Sequence, residues 1–432
     1  MSEYKIPKTP EEYKSNFKQK KPLMNDTEAH YESSRCLFCY DAPCMNVCPT
    51  SIDIPLFIKQ INTGNVEGAA KTIYDSNWFG NACGIVCPTG VLCEGECVYN
   101  NQNVPTLQIG RLQNYATRNV IDSKKQLFTI GKSNGKKVAI IGAGPAGIAC
   151  ACELRLLGYN VDIYEAKNNA SGLIINGIAP YKITNAEVLK ELDFLEDQLK
   201  YNVIYNSPIS TKEDIEKLEN NYDAIFIGVG LGPTAYRDIK GENLNGVIGA
   251  VEFVEDLRDN EKDTVVGNNV IIIGGGNTAM DVASETARMG ADNVTLVYRN
   301  TKDKMKAYDF EYDLAISAGV KSIFSASAIE VIGKDGVESV KFENREGETF
   351  CLDCDMLIKA SGQAKQRELF NLISDLDLES DIVKVNPENN QTSNNKYFAG
   401  GDAINGGAEV VNAAYDGKLA ANGIHKYLTI IK

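Results

Sequence analysis

Eight of the twelve cysteines fall between Cys36 and Cys97. The first four are Cys36, Cys39, Cys44 and Cys48, with Pro49 directly after the last. The second four are Cys83, Cys87, Cys93 and Cys97, with Pro88 after Cys87. Such short spacings let several thiolates converge on one inorganic core, and a cysteine–proline end is typical of iron–sulfur ligation. In two-cluster ferredoxins the fourth cysteine of such a run ligates the other cluster. Spacing alone therefore points to two [4Fe-4S] clusters held by all eight thiols. The rival chemistry is structural zinc, which favours two paired C-x2-C units. Only Cys36 and Cys39 make such a pair in this segment.

Two glycine turns offer a second kind of chemistry. Gly142, Ala143, Gly144, Pro145, Ala146 and Gly147 follow the apolar run Val138–Ile141. Glycines here permit a tight turn and close approach to a pyrophosphate resting on a helix N-terminus. The next apolar run, Val161–Tyr164, ends at Glu165, an acid placed to accept a hydrogen bond from an adenosine ribose hydroxyl. The alternative is a turn needed only for helix–strand packing. The second turn, Gly274, Gly275, Gly276, Asn277, Thr278 and Ala279, follows Val270–Ile273. Its second run ends in Arg299 instead of an acid, and arginine there pairs with a 2′-phosphate, so this site leans to NADP over NAD. Lys302, Lys304 and Lys306 add positive charge, or simply form a solvated loop. Two such turns in one chain suit FAD in one and NAD(P)H in the other. Hydride transfer is then carried by the cofactors, so no catalytic side chain is expected. Near the C-terminus, Gly401 and Asp402 follow the short run Tyr397–Ala399. A carboxylate there suits a flavin ribityl hydroxyl, and a helix starting near Glu409, Val410 and Val411 would stabilise negative charge on a reduced flavin. Otherwise Asp402 is a capping aspartate.

These residues need elements to hold them. At roughly 150 residues per domain, 432 residues suggest about three domains. Residues 1–130 read as helical and loop-rich, with helical apolar spacing over 54–61 and 66–74. Residues 131–136 look like a linker. Beyond them, strand candidates at 138–141, 161–164, 224–229, 270–273 and 294–298 alternate with helical patterns, which implies parallel sheets with crossover helices. The expected fold is α/β: a helical double-cluster domain, then two Rossmann-like domains. The FAD domain (136–246 and 366–432) is interrupted by the NAD(P) domain (247–365). The ends of the inserted domain should meet the FAD domain near 228–232 and Gly362.

Composition removes other classes. The net charge of −14 disfavours a nucleic-acid surface. No apolar run approaches about 18 residues, so no membrane span is expected. The N-terminus is polar and lysine-rich, unlike a secretory signal, and the expected compartment is the cytoplasm, where structural disulfides are rare. Only His30 and His425 are present, which leaves little room for histidine catalysis. Cys150 and Cys152 lie on a helix and are expected to pack against a sheet. Cys351 and Cys354 lie in a strand-like stretch, where residues three apart face opposite sides and do not share a metal.

The run Ser34–Cys44 resembles the N-terminal region of dihydropyrimidine dehydrogenase. So do Cys87–Thr89, Ile109–Gln113, both glycine turns and Phe398–Asp402. The match spans most of the chain and is best for the flavin and nicotinamide subunit of the bacterial two-subunit enzyme. The same module occurs in glutamate synthase small subunits and in NADH-dependent ferredoxin:NADP oxidoreductases. The spacing of Cys87, Cys93 and Cys97, together with Gln113, favours the pyrimidine branch. The resemblance revises the ligand count, because in the family a glutamine sixteen residues after the last cysteine ligates the second cluster; that residue is Gln113. It implies Cys36, Cys39, Cys44 and Cys97 for one cluster, and Cys48, Cys87, Cys93 and Gln113 for the other, with Cys83 left over. It also implies flavin contacts at Glu165, Gly172, Leu173 and Lys182, although the family usually has arginine at 182 and often glycine at Ser171. Nicotinamide-nucleotide contacts are implied at Gly275–Thr278, Arg299, Lys306, Ala360, Ser361 and Gly362. Asn300 stands where many NADPH-using relatives have a second basic residue, which weakens the lean to NADP. The implied activity is electron input: NAD(P)H to FAD, then single electrons through two clusters to a partner. That partner would carry FMN on a barrel and reduce uracil or thymine at the 5,6 double bond, making the assembly a hetero-oligomer. Other acceptors, such as a glutamate synthase large subunit or ferredoxin, are the alternatives. A non-catalytic assembly subunit is the rival of another class.

Overall fold

The structure, a computed structural model, describes residues 4–430. Its cysteine-rich segment is built from short helices, three of which start at side-chain caps. Asn25 and Glu28 form a reciprocal cap on the helix Asp26–Ser34. Asp53 accepts from the Leu56 N–H, 3.0 Å, to start the helix Ile54–Asn62. That helix buries Ile54, Phe57, Ile58 and Ile61 at helical spacing. The helix Ile109–Asp122 buries Ile109, Leu112, Gln113, Ala116 and Val120 in the same way. Its period therefore carries a glutamine onto an apolar face. The helix Gly80–Val86 touches it backbone to backbone: a Cβ on Gly84 would stand 2.8 Å from the Gly110 oxygen, and one on Gly110 would stand 2.6 Å from the Gly84 oxygen. Two glycines thus bring the Cys83–Cys87 region against Gln113.

The strands begin with β1 (Lys137–Ile141), β2 (Asn160–Tyr164), β3 (Asn202–Ile204) and β4 (Ala224–Ile227). Next come β5 (Val247–Gly249), β6 (Asn269–Gly274), β7 (Asn293–Tyr298), β8 (Lys321–Phe324), β9 (Ala326–Ile332), β10 (Ser339–Asn344), β11 (Thr349–Asp353) and β12 (Met356–Ala360). Short strands β13 (Leu378–Glu379), β14 (Ile382–Val383) and β15 (Tyr397–Ala399) complete the set. One parallel sheet has the order β15-β4-β1-β2-β3, and a second has the order β5-β12-β6-β7-β8. Strands β9, β10 and β11 form a separate antiparallel sheet. Val138–Ile141 and β4 are buried along their length, as interior strands of a doubly covered parallel sheet must be. The fold is α/β with parallel, Rossmann-like sheets.

The chain divides into two compact units. One contains the cysteine segment, the first sheet and the C-terminal helix Val410–Ile430. The other comprises 232–364, Ile175–Tyr181 and the described residues up to Lys20. Within the latter, Gly232 donates to Ala364, Ala364 to Pro233 and Ala235 to Gly362 (2.8, 2.8 and 2.9 Å), which ties its two ends together. Residues 232–246 group with this unit, and so does the helix Pro10–Asn16, whose Tyr13 and Phe17 join its core. The strand-like stretch 349–360 is two strands, broken at Cys354 and Asp355.

Candidate redox sites

Cys36, Cys39, Cys44 and Cys97 line one cavity, walled by Ile54, Ile58, Leu107 and Ile109. Cys48, Cys83, Cys87, Cys93 and Gln113 line a second, with Asn77 and Val411. The loop to the first set is held in place by Tyr99, whose hydroxyl donates to the Arg35 oxygen, 2.7 Å, and by Glu32, which takes the Gln108 N–H at 2.8 Å. Phe38 and Ala42 adopt left-handed backbone, which folds the loop tightly. Lys21 donates to the Cys87 oxygen, 3.0 Å, and anchors the second set.

The electrostatics sort the thiols into the same two groups. Burial first, then Cys36 and Cys97, raise the Cys44 thiol to about 12. Cys36 is raised by burial first, then by Cys39 and Cys97, against an opposing Phe38 backbone hydrogen bond. Cys93 is raised by burial first, then by Glu94, Cys87 and Cys48. Cys87 is raised by its hydrogen bond with Cys83 first, then by burial. Thiols crowded in apolar cavities ionise only when a cation compensates them. A cationic iron core meets that need. Among the described residues no three His, Cys, Asp or Glu side chains converge tightly enough for a single metal ion. Thiols spread around a cavity suit a multi-atom core better than one tetrahedral zinc. Gln113 donates through Nε2 to the Gly80 oxygen, 2.7 Å, so its carbonyl end is the one available to a metal.

The remaining cysteines sit elsewhere. Cys150 and Cys152 are buried in the helix Pro145–Leu156. Cys351 is exposed on β11, and Cys354 is buried beyond its end.

The first glycine turn joins β1 to the helix Pro145–Leu156. Gly142 has φ +100°, and a Cβ there would stand 2.6 Å from the Gly228 oxygen, so only glycine fits. At Gly144 a Cβ would meet only the Gly228 oxygen, at 3.8 Å, which leaves room above the helix N-terminus for a phosphate. Glu165 is buried; its oxygens accept from the Ala143 and Lys167 N–H groups, each at 2.8 Å. Gly172 (φ +52°) lies with its Cα region against Gly144, and Ser171 has φ +90°. Leu173 begins a short helix, Leu173–Asn176, and Lys182 follows in the same loop region. At the sheet's far edge β15 leads into Gly401 (φ +69°), whose N–H donates to Asp416, 3.0 Å. Asp402 accepts from the Ala408 N–H, 3.0 Å; burial raises its carboxyl, and that N–H and Lys365 oppose the rise. Glu409 and Val410 lie at the start of the helix Val410–Ile430. The cradle therefore combines an open helix N-terminus, the buried Glu165 and the half-buried Asp402.

In the other unit the second glycine turn joins β6 to the helix Asn277–Arg288. Gly274 has φ +159°, and a Cβ on it would meet the Ala360 oxygen at 2.4 Å. A Cβ on Gly276 would meet nothing within 4 Å. Thr278 and Ala279 occupy the first helical turn, and Asn277 Oδ1 accepts from the Tyr308 N–H, 3.0 Å. The Lys306 and Ala307 N–H groups donate to the Gly275 oxygen. Ala360, Ser361 and Gly362 end β12 beside β6, and Arg237 Nε donates to Ser361, 2.8 Å. Arg299 and Lys306 are exposed.

Some contacts escape the sequence motifs. Tyr298, expected only as a strand end, packs its ring on Gly275, and Val411, expected only near a flavin, reaches the second thiol cavity. Asp416, which no motif singles out, braces Gly401.

Residues 13–125 match the family described as dihydropyrimidine dehydrogenase domain II, 4Fe-4S cluster, and residues 136–417 match pyridine nucleotide-disulphide oxidoreductase. The NAD-dependent dihydropyrimidine dehydrogenase subunit PreT of Escherichia coli is 33% identical over 94% of this chain and 96% of its own length. The glutamate synthase [NADPH] small chain of Escherichia coli is 30% identical over 94% of this chain and 93% of its own. Among solved structures, Mycobacterium tuberculosis FprA in complex with NADPH has a TM-score of 0.58 at 18% identity, covering 68% of this chain and 85% of that one. The T. acidophilum thioredoxin reductase has a TM-score of 0.55 at 20% identity, covering 69% of this chain and 100% of that one. These structural likenesses concern the fold. The iron–sulfur and pyridine-nucleotide family matches, with the likeness to the dehydrogenase subunit, define an NAD(P)H-dependent flavin and iron–sulfur oxidoreductase with an electron-input role. The chain belongs to the pyridine nucleotide-disulphide oxidoreductase family, in the group that holds the dihydropyrimidine dehydrogenase subunits and the glutamate synthase small chains.

Proposed function

We propose that this chain is the electron-input subunit of a cytoplasmic dihydropyrimidine dehydrogenase, working with an FMN-containing barrel subunit that reduces uracil or thymine at the 5,6 double bond. Two [4Fe-4S] clusters take Cys36, Cys39, Cys44 and Cys97, and Cys48, Cys87, Cys93 and Gln113, as ligands. FAD rests on the first glycine turn and NAD(P)H on the second. When bound, these groups supply hydride transfer from nicotinamide to flavin and release of the electrons one at a time into the clusters.

The chain's own residues orient and shield. Glu165 is positioned to receive a ribose hydroxyl while holding the Ala143 N–H. Asp402 offers a carboxylate to the ribityl chain, fixed by Ala408. The start of the helix Val410–Ile430 would offer positive backbone dipole to a bound flavin. The observation that carries the reading is the second cavity. Val411, one residue into that helix, lines it together with the thiols, and Glu409 lies close enough to raise Cys87. Flavin-side and cluster-side elements thus share a wall in one unit, which gives a short route for electrons. Apolar side chains and thiols make up most of the lining of both cavities.

The test begins with chain purified anaerobically and assayed for FAD, iron and acid-labile sulfide. NADH and NADPH oxidation is then measured against an artificial acceptor. Finally it is measured with the co-purified partner against uracil, against 2-oxoglutarate plus glutamine, and against ferredoxin. Uracil-dependent oxidation is expected. Turnover only with 2-oxoglutarate plus glutamine would assign the chain to the glutamate synthase reading, which the 30% identity to that small chain favours. Bound FAD without any diaphorase activity would sink the catalytic reading altogether.

A further inference from the structure

β7 ends at Tyr298, and the two residues that follow, Arg299 and Asn300, occupy the place where a Rossmann-type sheet meets the adenosine ribose. Arg299 is a single exposed cation there. The second position is the neutral Asn300. Three-dimensional proximity changes this picture. Asn300 Oδ1 accepts from Arg345 Nη2 at 3.4 Å, and Asn300 Nδ2 donates to the Tyr298 hydroxyl at 3.4 Å. The Tyr298 ring in turn packs on the glycine turn, where a Cβ on Gly275 would stand 2.3 Å from it. A contiguous path therefore runs from the phosphate-binding turn through Tyr298 and Asn300 to Arg345.

We propose that Arg345, reaching over from the turn between β10 and β11, supplies the second cation of a two-arginine seat for the 2′-phosphate of NADP(H), with Arg299 as the first. The inference rests on reading this sheet as the nicotinamide-binding one. Three observations support it. First, the turn that presents Arg345 is rigid. Asn344 Oδ1 accepts from the Glu346 and Glu348 N–H groups (3.0 and 2.9 Å), Asn344 Nδ2 donates to Glu348, 3.0 Å, and Gly347 takes φ +81°. Second, the opposite wall is fixed. The Tyr298 hydroxyl donates to the Lys304 oxygen, 2.8 Å, and the Ser325 N–H donates to the Asn300 oxygen, 3.0 Å. Third, the guanidinium is exposed, and among the described residues the long Asn300 contact is its one polar hydrogen bond. Its planar fork is not committed to a carboxylate and suits bidentate contact with a phosphate.

The local charges agree with an anion site. Arg299, Lys302, Lys304 and Lys306 are all exposed on the segment that Arg345 faces. The acid on that segment is Asp303. Its carboxyl is held below the usual range by the Thr301 hydroxyl first, and also by Lys304 and Arg345. Asp303 is then a built-in competitor for Arg345 when no phosphate is bound. Family membership leaves the choice open, because one relative is named NAD-dependent and another carries NADPH in its name.

The test uses the full FAD-loaded chain and isothermal titration with NADP+, NAD+, 2′,5′-ADP and 5′-AMP. Wild type is expected to bind NADP+ more tightly than NAD+, and 2′,5′-ADP more tightly than 5′-AMP, with both preferences shrinking as salt rises. Arg345→Ala should raise the ratio Kd(NADP+)/Kd(NAD+) by about tenfold, the scale of one charge-assisted contact. Arg345→Lys should recover part of it, and Arg345→Glu should exceed the alanine effect. Asp303→Asn should lower the ratio. A wild type that prefers NAD+, or an Arg345→Ala ratio within twofold of wild type, overturns the proposal. A wild type that binds neither dinucleotide removes the nicotinamide site itself, and this proposal with it.

Discussion

Replacing Glu191 by glutamine should reverse sign in its effect on stability across the neutral pH range. Glu191 is fully buried on the helix Asn185–Leu199, and its oxygens accept from the Asn81 N–H (2.6 Å), the Ala82 N–H (2.9 Å) and the Tyr74 hydroxyl (3.1 Å). It thereby caps the helix Gly80–Val86 that leads to Cys87. Burial raises its carboxyl from 4.5 to about 7, against the lowering by those same donors. An acid whose folded pKa lies above its unfolded value binds more protons when folded, so this contribution to stability is present at low pH and is lost as pH rises from about 4.5 to about 7. At 1.36 kcal/mol per unit, that shift is worth about 3 kcal/mol. Glutamine keeps one acceptor and removes the titration. At pH 5 the variant should be less stable by about 1–3 kcal/mol, the cost of an unsatisfied buried donor. By pH 8 the balance should have moved in its favour by about 3 kcal/mol relative to pH 4.5, from the absent ionisation. The assay is urea unfolding of wild type and Glu191→Gln, cofactor-loaded and anaerobic, at four pH values. Parallel stability curves for the two proteins would refute the reasoning. Glu191→Leu, which orphans both N–H groups at every pH, should be worse than glutamine throughout.

Other expectations bear on the cofactor sites. Cys44→Ser and Cys93→Ser should each leave about half the iron and sulfide of wild type by chemical analysis, since each disturbs one cavity; Cys83→Ala should retain the full complement. Gln113→Cys should move one cluster to a more negative potential in an EPR-monitored redox titration, because a thiolate adds negative charge to the ligand set. Gly276→Ala should leave thermal stability nearly unchanged while weakening dinucleotide binding, whereas Gly275→Ala should lower both, its Cβ falling 2.3 Å from the Tyr298 ring. Gly84→Ala should reduce iron retention in the second cavity, because the 2.8 Å approach to Gly110 would be forced apart.

Much of this protein is legible along the chain because its chemistry is encoded locally. The strand–glycine–helix turns at 142–147 and 274–279 depend on φ values and close approaches that only glycine permits within a few residues. The strands that flank them are continuous apolar runs, and the linker and helix patterns before residue 136 have helical or turn periods of the same short range. The spacing of the cysteines likewise announces an inorganic core, since ligands that sit close in sequence reach a common centre cheaply. Spacing by itself, however, treats all eight thiols alike. It does not separate Cys83 from the rest, and it gives no reason to notice a glutamine on an apolar helix face.

Tertiary structure decided what no local pattern holds. Packing of Gly84 on Gly110 brings Gln113 and the Cys83–Cys87 helix to one cavity, while Cys97 joins Cys36, Cys39 and Cys44 across the segment at another. Val411 reaches the second cavity from the C-terminal helix, and Arg345 reaches Asn300 from a hairpin of the antiparallel sheet. By itself, then, the sequence determined the kind of cofactor each segment suits, because backbone conformation and ligand type are properties of neighbouring residues. Which side chains share a site, and which cations face the nucleotide, was settled only when sheets and helices packed, because those encounters join residues far apart in the chain.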